Sequence, residues 1–246
     1  MNHESWLAAL DREGHAFGAA AEHAGLTAEV SSCPGWTVTD LLTHLGRVHR
    51  WVTDIVGRSG TEPFPYTDRE PDGDLLEWYQ AGLSGLLDRL RRIDPEQPAW
   101  NFSPTAPKVA GFWARRQAHE TAVHRWDADL AGGRPGDFAP DLAADGVGEV
   151  VENMLPRRAR REPLASARGA VRVGCADTGD GWLVTLTPGR VDTVRLVDDA
   201  RSVHDRPDAT ITGPAGQMYL VLWGRRPLDT VTVTGNADLA ALLRTG

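Results

Sequence analysis

One helix constrains this chain more than any other segment. From Val38 to Ile55 the run VTDLLTHLGRVHRWVTDI sets Val38, Leu41, Leu42, Leu45, Val48, Val52 and Ile55 at spacings of three and four. That is the stripe of an amphipathic helix, which is stable only when the apolar face meets a partner. Pro34-Gly35 just before it signals a turn, and Thr37 followed three residues later by Asp40 signals a capped helix start. The partners are close at hand in the sequence. Helical periodicity marks Trp6 to Leu26, Asp74 to about Ile93, and about Val109 to Leu130. Gly-, Pro- and Asp-rich loops at 59–73 and 95–108 separate them and are expected to line an entrance. Four long helices of this kind predict an all-α antiparallel bundle.

The texture changes in the second half. A fifth, shorter helix fits DLAADGVGEVVENML. After PRRARREP come β-branched runs with period-two alternation: GAVRVGCAD, GWLVTLTP, VDTVRLVDD, ATITG and TVTVTG. PAGQMYLVLWGRR and NADLAALLRT read as helices between and after them. A small α+β domain is expected. The fold class is therefore multidomain, with a bundle over 1–156 and an α+β domain over 165–246. The basic run Arg157 to Arg161 reads as a solvated linker between them.

Charge narrows the partners. With 34 acidic against 26 basic side chains, the net charge of -8 repels phosphate backbones, so nucleic acid is not expected as a partner. No apolar stretch is long enough to span a membrane, and none is expected as a partner either. The first turns carry charges and lack the apolar core of a signal peptide. Cys33 and Cys175, the two cysteines, are far apart and form no metal-type pair. A cytoplasmic protein with free thiols is expected, and a monomer is the simpler state.

The stretch HETAVHRWD, His119 to Asp127, carries the most chemistry. His119 and His124 are five apart, so on a helix they diverge by ~140° and do not share an ion. Glu120 and His124 are four apart, only ~40° from one another, and can chelate one metal. The spacing also excludes the zincin pattern, which needs histidines four apart. A third ligand must come from a facing helix, and His44 is embedded in the apolar stripe of the second helix. His44, Glu120 and His124 would make a two-histidine, one-carboxylate set with a coordination position left open, as in catalytic zinc sites. The plain reading stands beside it: His44 as a hydrogen-bonded core residue, and Glu120 with His124 as an i,i+4 pair. His3, His15, His23, His49, His119 and His204 are assigned structural roles.

CPGWTVTDLLTHLGRVHRW and RRQAHETAVHRWDAD resemble the two signature segments of the mycothiol-dependent maleylpyruvate isomerase family, within the DinB-like four-helix bundles. LAADGVGEVVENMLPRR resembles the same family, and ATITGPAGQMYLVLWGRRPLDTVTVTGNADLAALL resembles its C-terminal domain, similar to sterol carrier proteins. The resemblance implies zinc, or another divalent metal, on His44, Glu120 and His124. It implies mycothiol, a low-molecular-weight thiol of actinobacteria, as cofactor, and a small-molecule substrate. Zinc stabilises thiolate over thiol, and thiolate is the nucleophile for cis–trans isomerisation or S-transfer. It also implies an arginine that binds anionic groups of substrate or cofactor, for which Arg225 is the candidate catalytic and cofactor-binding residue. Asp127, one turn past His124, is placed to orient that histidine. Trp36 and Trp126 are expected to pack beside the site, and Cys33 to be an inert thiol. Two alternatives remain open: a metal-dependent hydrolase or amidase of the same fold, and a non-catalytic small-ligand-binding protein.

Overall fold

The computed structural model describes residues 1–196 and 206–245, in two compact units. Met1–Asn101 and Pro107–Asp137 form the first; Phe138–Gly246 forms the second, joined by Phe102–Ala106. His204 and the end of the run VDTVRLVDD lie outside the described residues.

The first unit holds four long helices: α1 (His3–Ala24), α2 (Val38–Gly57), α3 (Leu75–Arg92) and α4 (Gly111–Ala131). The start of α2 is fixed as the sequence signals: the Thr37 backbone N–H and hydroxyl both donate to Asp40 Oδ2, at 2.7 and 2.8 Å. The stripe residues Val38, Leu41, Leu42, Leu45, Val52 and Ile55 are all buried. Leu10 and Phe17 of α1 and Tyr79, Leu86 and Leu90 of α3 are buried as well, and α3 packs against both α1 and α2. Gly46 lets α2 approach α3, since a Cβ there would sit 2.1 Å from the Trp78 ring. The Arg50 guanidinium carbon lies over that ring, 3.9 Å from its centroid.

α4 is different. Arg116, Gln117, His119, Thr121, His124, Arg125 and Asp127 are all buried along it. A helix that buries this many polar side chains needs a partner for nearly every one. Arg125 shows how that is met: its guanidinium donates to Glu13 Oε2 on α1 at 3.0 Å, to Asp129 Oδ2 at 2.8 Å and to the Asp137 carbonyl at 2.9 Å.

The second unit opens with α5 (Pro140–Glu149), a π-helical turn (Val150–Met154) and α6 (Leu155–Arg158). Among the described residues five strands follow: β1 (Gly169–Cys175), β2 (Gly181–Thr187), β3 (Arg190–Leu196), β4 (Ala209–Gly213) and β5 (Thr232–Gly235), in the order β3-β2-β1-β4-β5. Among these five strands β1 and β4 pair in parallel, and the other neighbours pair antiparallel. α7 (Ala215–Leu222) bridges β4 and β5, and α8 (Ala237–Ala241) follows.

The sequence reading carries the bundle to residue 156, whereas the structure groups α5 and α6 with the sheet. The reason is packing. α5 lies against α7, with Gly146 so close to the Tyr219 ring that a Cβ would meet it at 2.3 Å. The π turn is tied to the sheet by Trp182 Nε1 donating to Glu152 Oε1 at 3.0 Å and by the Thr193 hydroxyl donating to the Val151 carbonyl at 2.7 Å. The segment Phe102–Ala106 joins the same unit, with Ser103 Oγ donating to Asn153 Oδ1 at 2.7 Å. The basic run, read as a solvated linker, starts inside α6. Arg157 stacks on Phe102 at 4.3 Å and Arg158 donates to the Arg244 carbonyl at 3.0 Å. Among the described residues, no helix is long and apolar enough to cross a membrane.

Candidate metal centre

α2 and α4 bring three side chains together within the first unit. His44 Nε2 lies 3.0 Å from Glu120 Oε1, and His124 Nε2 lies 3.6 Å from the same oxygen. One donor atom from each of the three residues falls within 4.8 Å of the others. The imidazoles of His44 and His124 meet edge to face, with centroids 5.1 Å apart. His44 and Glu120 are part exposed, at 29% and 21% of their side-chain surface, so the cluster reaches solvent on one side. Trp36 forms a wall over it, tilted on His44 at 5.3 Å and stacked on His124 at 6.3 Å.

The local chemistry fixes which atoms face inward. His124 Nδ1 donates to Asp127 Oδ2 at 2.9 Å, because a carboxylate only accepts. Asp127 is fully buried, so the ring is held in one orientation and turns Nε2 toward Glu120. Cys33 Sγ donates to the same Asp127 oxygen at 3.6 Å. The other Glu120 oxygen, Oε2, is held by Arg116 from one turn earlier on α4.

These contacts dominate the electrostatics. Burial disfavours a charged Glu120 carboxyl, but Arg116 and the hydrogen bonds from His124 and His44 outweigh it and hold the group well below the usual carboxylate range. Burial likewise pulls His124 down, and its hydrogen bonds to Asp127, Cys33 and Glu120 outweigh that and raise it well above the usual histidine value. Two imidazole nitrogens face one carboxylate oxygen, and positive charge between them stabilises the arrangement. A proton on His124 supplies it in the ion-free state. A divalent cation suits the same place, and nitrogen and oxygen donors of this number suit zinc. The donor set fits a metal.

A second donor group, Cys33, His124 and Asp127, also converges within 4.8 Å and shares His124. Trp126 is buried, as are His49 and His119. His49 Nε2 contacts Thr121 Oγ1 at 3.1 Å. Arg225 belongs to the second unit. It follows α7, its backbone N–H donating to the Leu220 carbonyl at 2.8 Å and Nη1 to the Trp223 carbonyl at 3.0 Å. Arg116 escapes a reading that looks only for metal-ligand residue types. Its signal is its spacing, four residues before Glu120 in RRQAHE. A groove of about 380 Å³ between α1 and α3, lined by Asp11, His15, Leu83 and Leu87 among others, contains none of the converging residues.

Sequence comparison places the chain among known proteins. A family model described as the mycothiol maleylpyruvate isomerase N-terminal domain matches residues 7–129, and one for the C-terminal domain of the same proteins matches 141–242. The chain belongs to the mycothiol maleylpyruvate isomerase family. Two solved structures of the mycothiol-dependent maleylpyruvate isomerase, one of them of a histidine-to-alanine mutant, share its fold. They superpose with TM-scores of 0.67 and 0.66 at 12% identity, over 95% of this chain and 93% of theirs. No curated protein matches in sequence. Within this family the two domain matches flank residues 130–140, close to the division between the two compact units.

Proposed function

We propose that this chain is an enzyme that uses a divalent ion, zinc foremost, to activate the thiol of mycothiol for isomerisation of, or S-transfer to, a small electrophile. One observation carries the reading. His44 and His124 reach the same oxygen of Glu120 from two helices, 76 and 4 residues away in sequence. His44, Glu120 and His124 would hold a divalent ion, which would leave a coordination position for sulfur and favour thiolate over thiol.

The chain's own groups do the rest. Asp127 keeps the Nδ1 proton of His124 and so keeps Nε2 turned to the cluster. Trp36 covers the two imidazoles and excludes water from that side. The solvent-facing edge of His44 and Glu120 is where a thiol would enter. Arg225 is assigned an anion-binding role, on the chemistry of its planar guanidinium.

Calorimetric titration with mycothiol tests the reading on zinc-loaded and zinc-stripped protein. Binding that needs zinc supports it. Zinc-loaded protein that hydrolyses thiol adducts without free thiol would move the assignment to an amidase with the same ligands. Absence of both would leave a binding protein.

A further inference from the structure

The two oxygens of Glu120 have different neighbours. Oε1 faces His44 Nε2 at 3.0 Å and His124 Nε2 at 3.6 Å, whereas Oε2 is held by Nη2 of Arg116. The Arg116 side chain is only 4% exposed, and its charge is permanent. A carboxylate with both oxygens free can turn both to a cation, which consumes a coordination position and lends the ion its full negative charge. Arg116 blocks that on both counts.

We propose that Arg116 is a positioning residue that restricts Glu120 to ligation through Oε1 and offsets its charge, so that a bound divalent ion keeps an open position and a net positive field for an anionic sulfur. This rests on the ion-binding reading above. The sign of the effect sets it apart from simple support. A residue that only orients a ligand strengthens ion binding, and its loss weakens it. A fixed positive charge one carboxylate away from the ion opposes ion binding and favours an anion on the ion.

The test is titration with Co²⁺, followed by visible absorption, of the wild type, Arg116→Gln and Arg116→Lys. 2-Mercaptoethanol serves as the thiolate probe through its sulfur-to-cobalt band in the near ultraviolet. Arg116→Gln should bind Co²⁺ roughly tenfold more tightly and 2-mercaptoethanol roughly tenfold more weakly. Arg116→Lys keeps the charge and should stay within about threefold of the wild type for both. Weaker Co²⁺ binding in both variants would reduce Arg116 to a prop and overturn the inference, as would no change in either. If Arg116→Gln does not fold, the wild type still decides. Saturated with 2-mercaptoethanol, its Co²⁺ must show the intense visible bands of four ligands, and the weak bands of higher coordination would mean that the ion is not restricted to one open position, which overturns the inference. A wild type that binds no Co²⁺ overturns the ion-binding reading and this inference together, whereas a wild type that binds it with unaltered variants overturns this inference alone.

Discussion

His124 directs Nδ1 to Asp127 at 2.9 Å, and that one hydrogen bond decides which ring nitrogen faces Glu120. The partner is fully buried and three residues away on the same helix, so the ring has little freedom to flip. Asp127→Asn keeps the shape but offers Nδ1 a weaker, neutral acceptor. Zinc affinity, measured by competition with a chromogenic chelator, should fall by about 10–100-fold, the usual cost of losing such a support. Unchanged affinity would mean that Asp127 does not orient the ligand.

Glu13 and Arg125 join α1 to α4 at 3.0 Å with both side chains over nine-tenths buried. Removing Glu13 leaves the buried Arg125 guanidinium with Asp129 and the Asp137 carbonyl and strips the Nε donor of its partner, at a cost of about 2 kcal/mol. Glu13→Ala should therefore lower the free energy of urea unfolding by about that amount. A loss under about 1 kcal/mol would place the pair with solvent-screened bridges.

His49 carries the clearest acid sensitivity outside the candidate site. Burial, partly opposed by the charge of Glu120, brings its imidazole down to about 3. Its unfolded value is about 6.5. Between these values the unfolded chain binds a proton that the folded chain refuses, so stability is full above the upper value and declines as pH falls through the window. From pH 7.5 to pH 5 the loss should be about 2 kcal/mol from this group. In metal-free protein, His49→Gln should lose that much less than the wild type over the same range, by urea titration at each pH. Parallel curves would refute the assignment.

Much of the first unit is legible in the chain. α2 announces itself because its partner surface is a stripe with one period, and Thr37 and Asp40 mark its start. The shared face of Glu120 and His124 follows from helix geometry alone. Other features leave no local mark. Glu13 and Arg125 lie 112 residues apart, so neither predicts the other. The π turn at Val150–Met154 is a shift in hydrogen-bond register that no residue type signals, and Gly146 reads as a helix weakness until Tyr219 is seen against it. For that reason the end of the bundle is not readable from composition: α5 has an apolar face, but only the fold shows that α7 covers it. Arg116 is visible in spacing and invisible in residue type, because arginine is no metal ligand.

The convergence of His44, Glu120 and His124 on one point is the centre of this account. Elemental mass spectrometry of protein purified without chelators, wild type beside His44→Ala, tests it directly. The account predicts about one zinc per wild-type chain and loss of that zinc in a His44→Ala protein that remains folded. A wild type without metal, or a His44→Ala protein that keeps it, would contradict the account and leave the three side chains as a hydrogen-bonded core cluster.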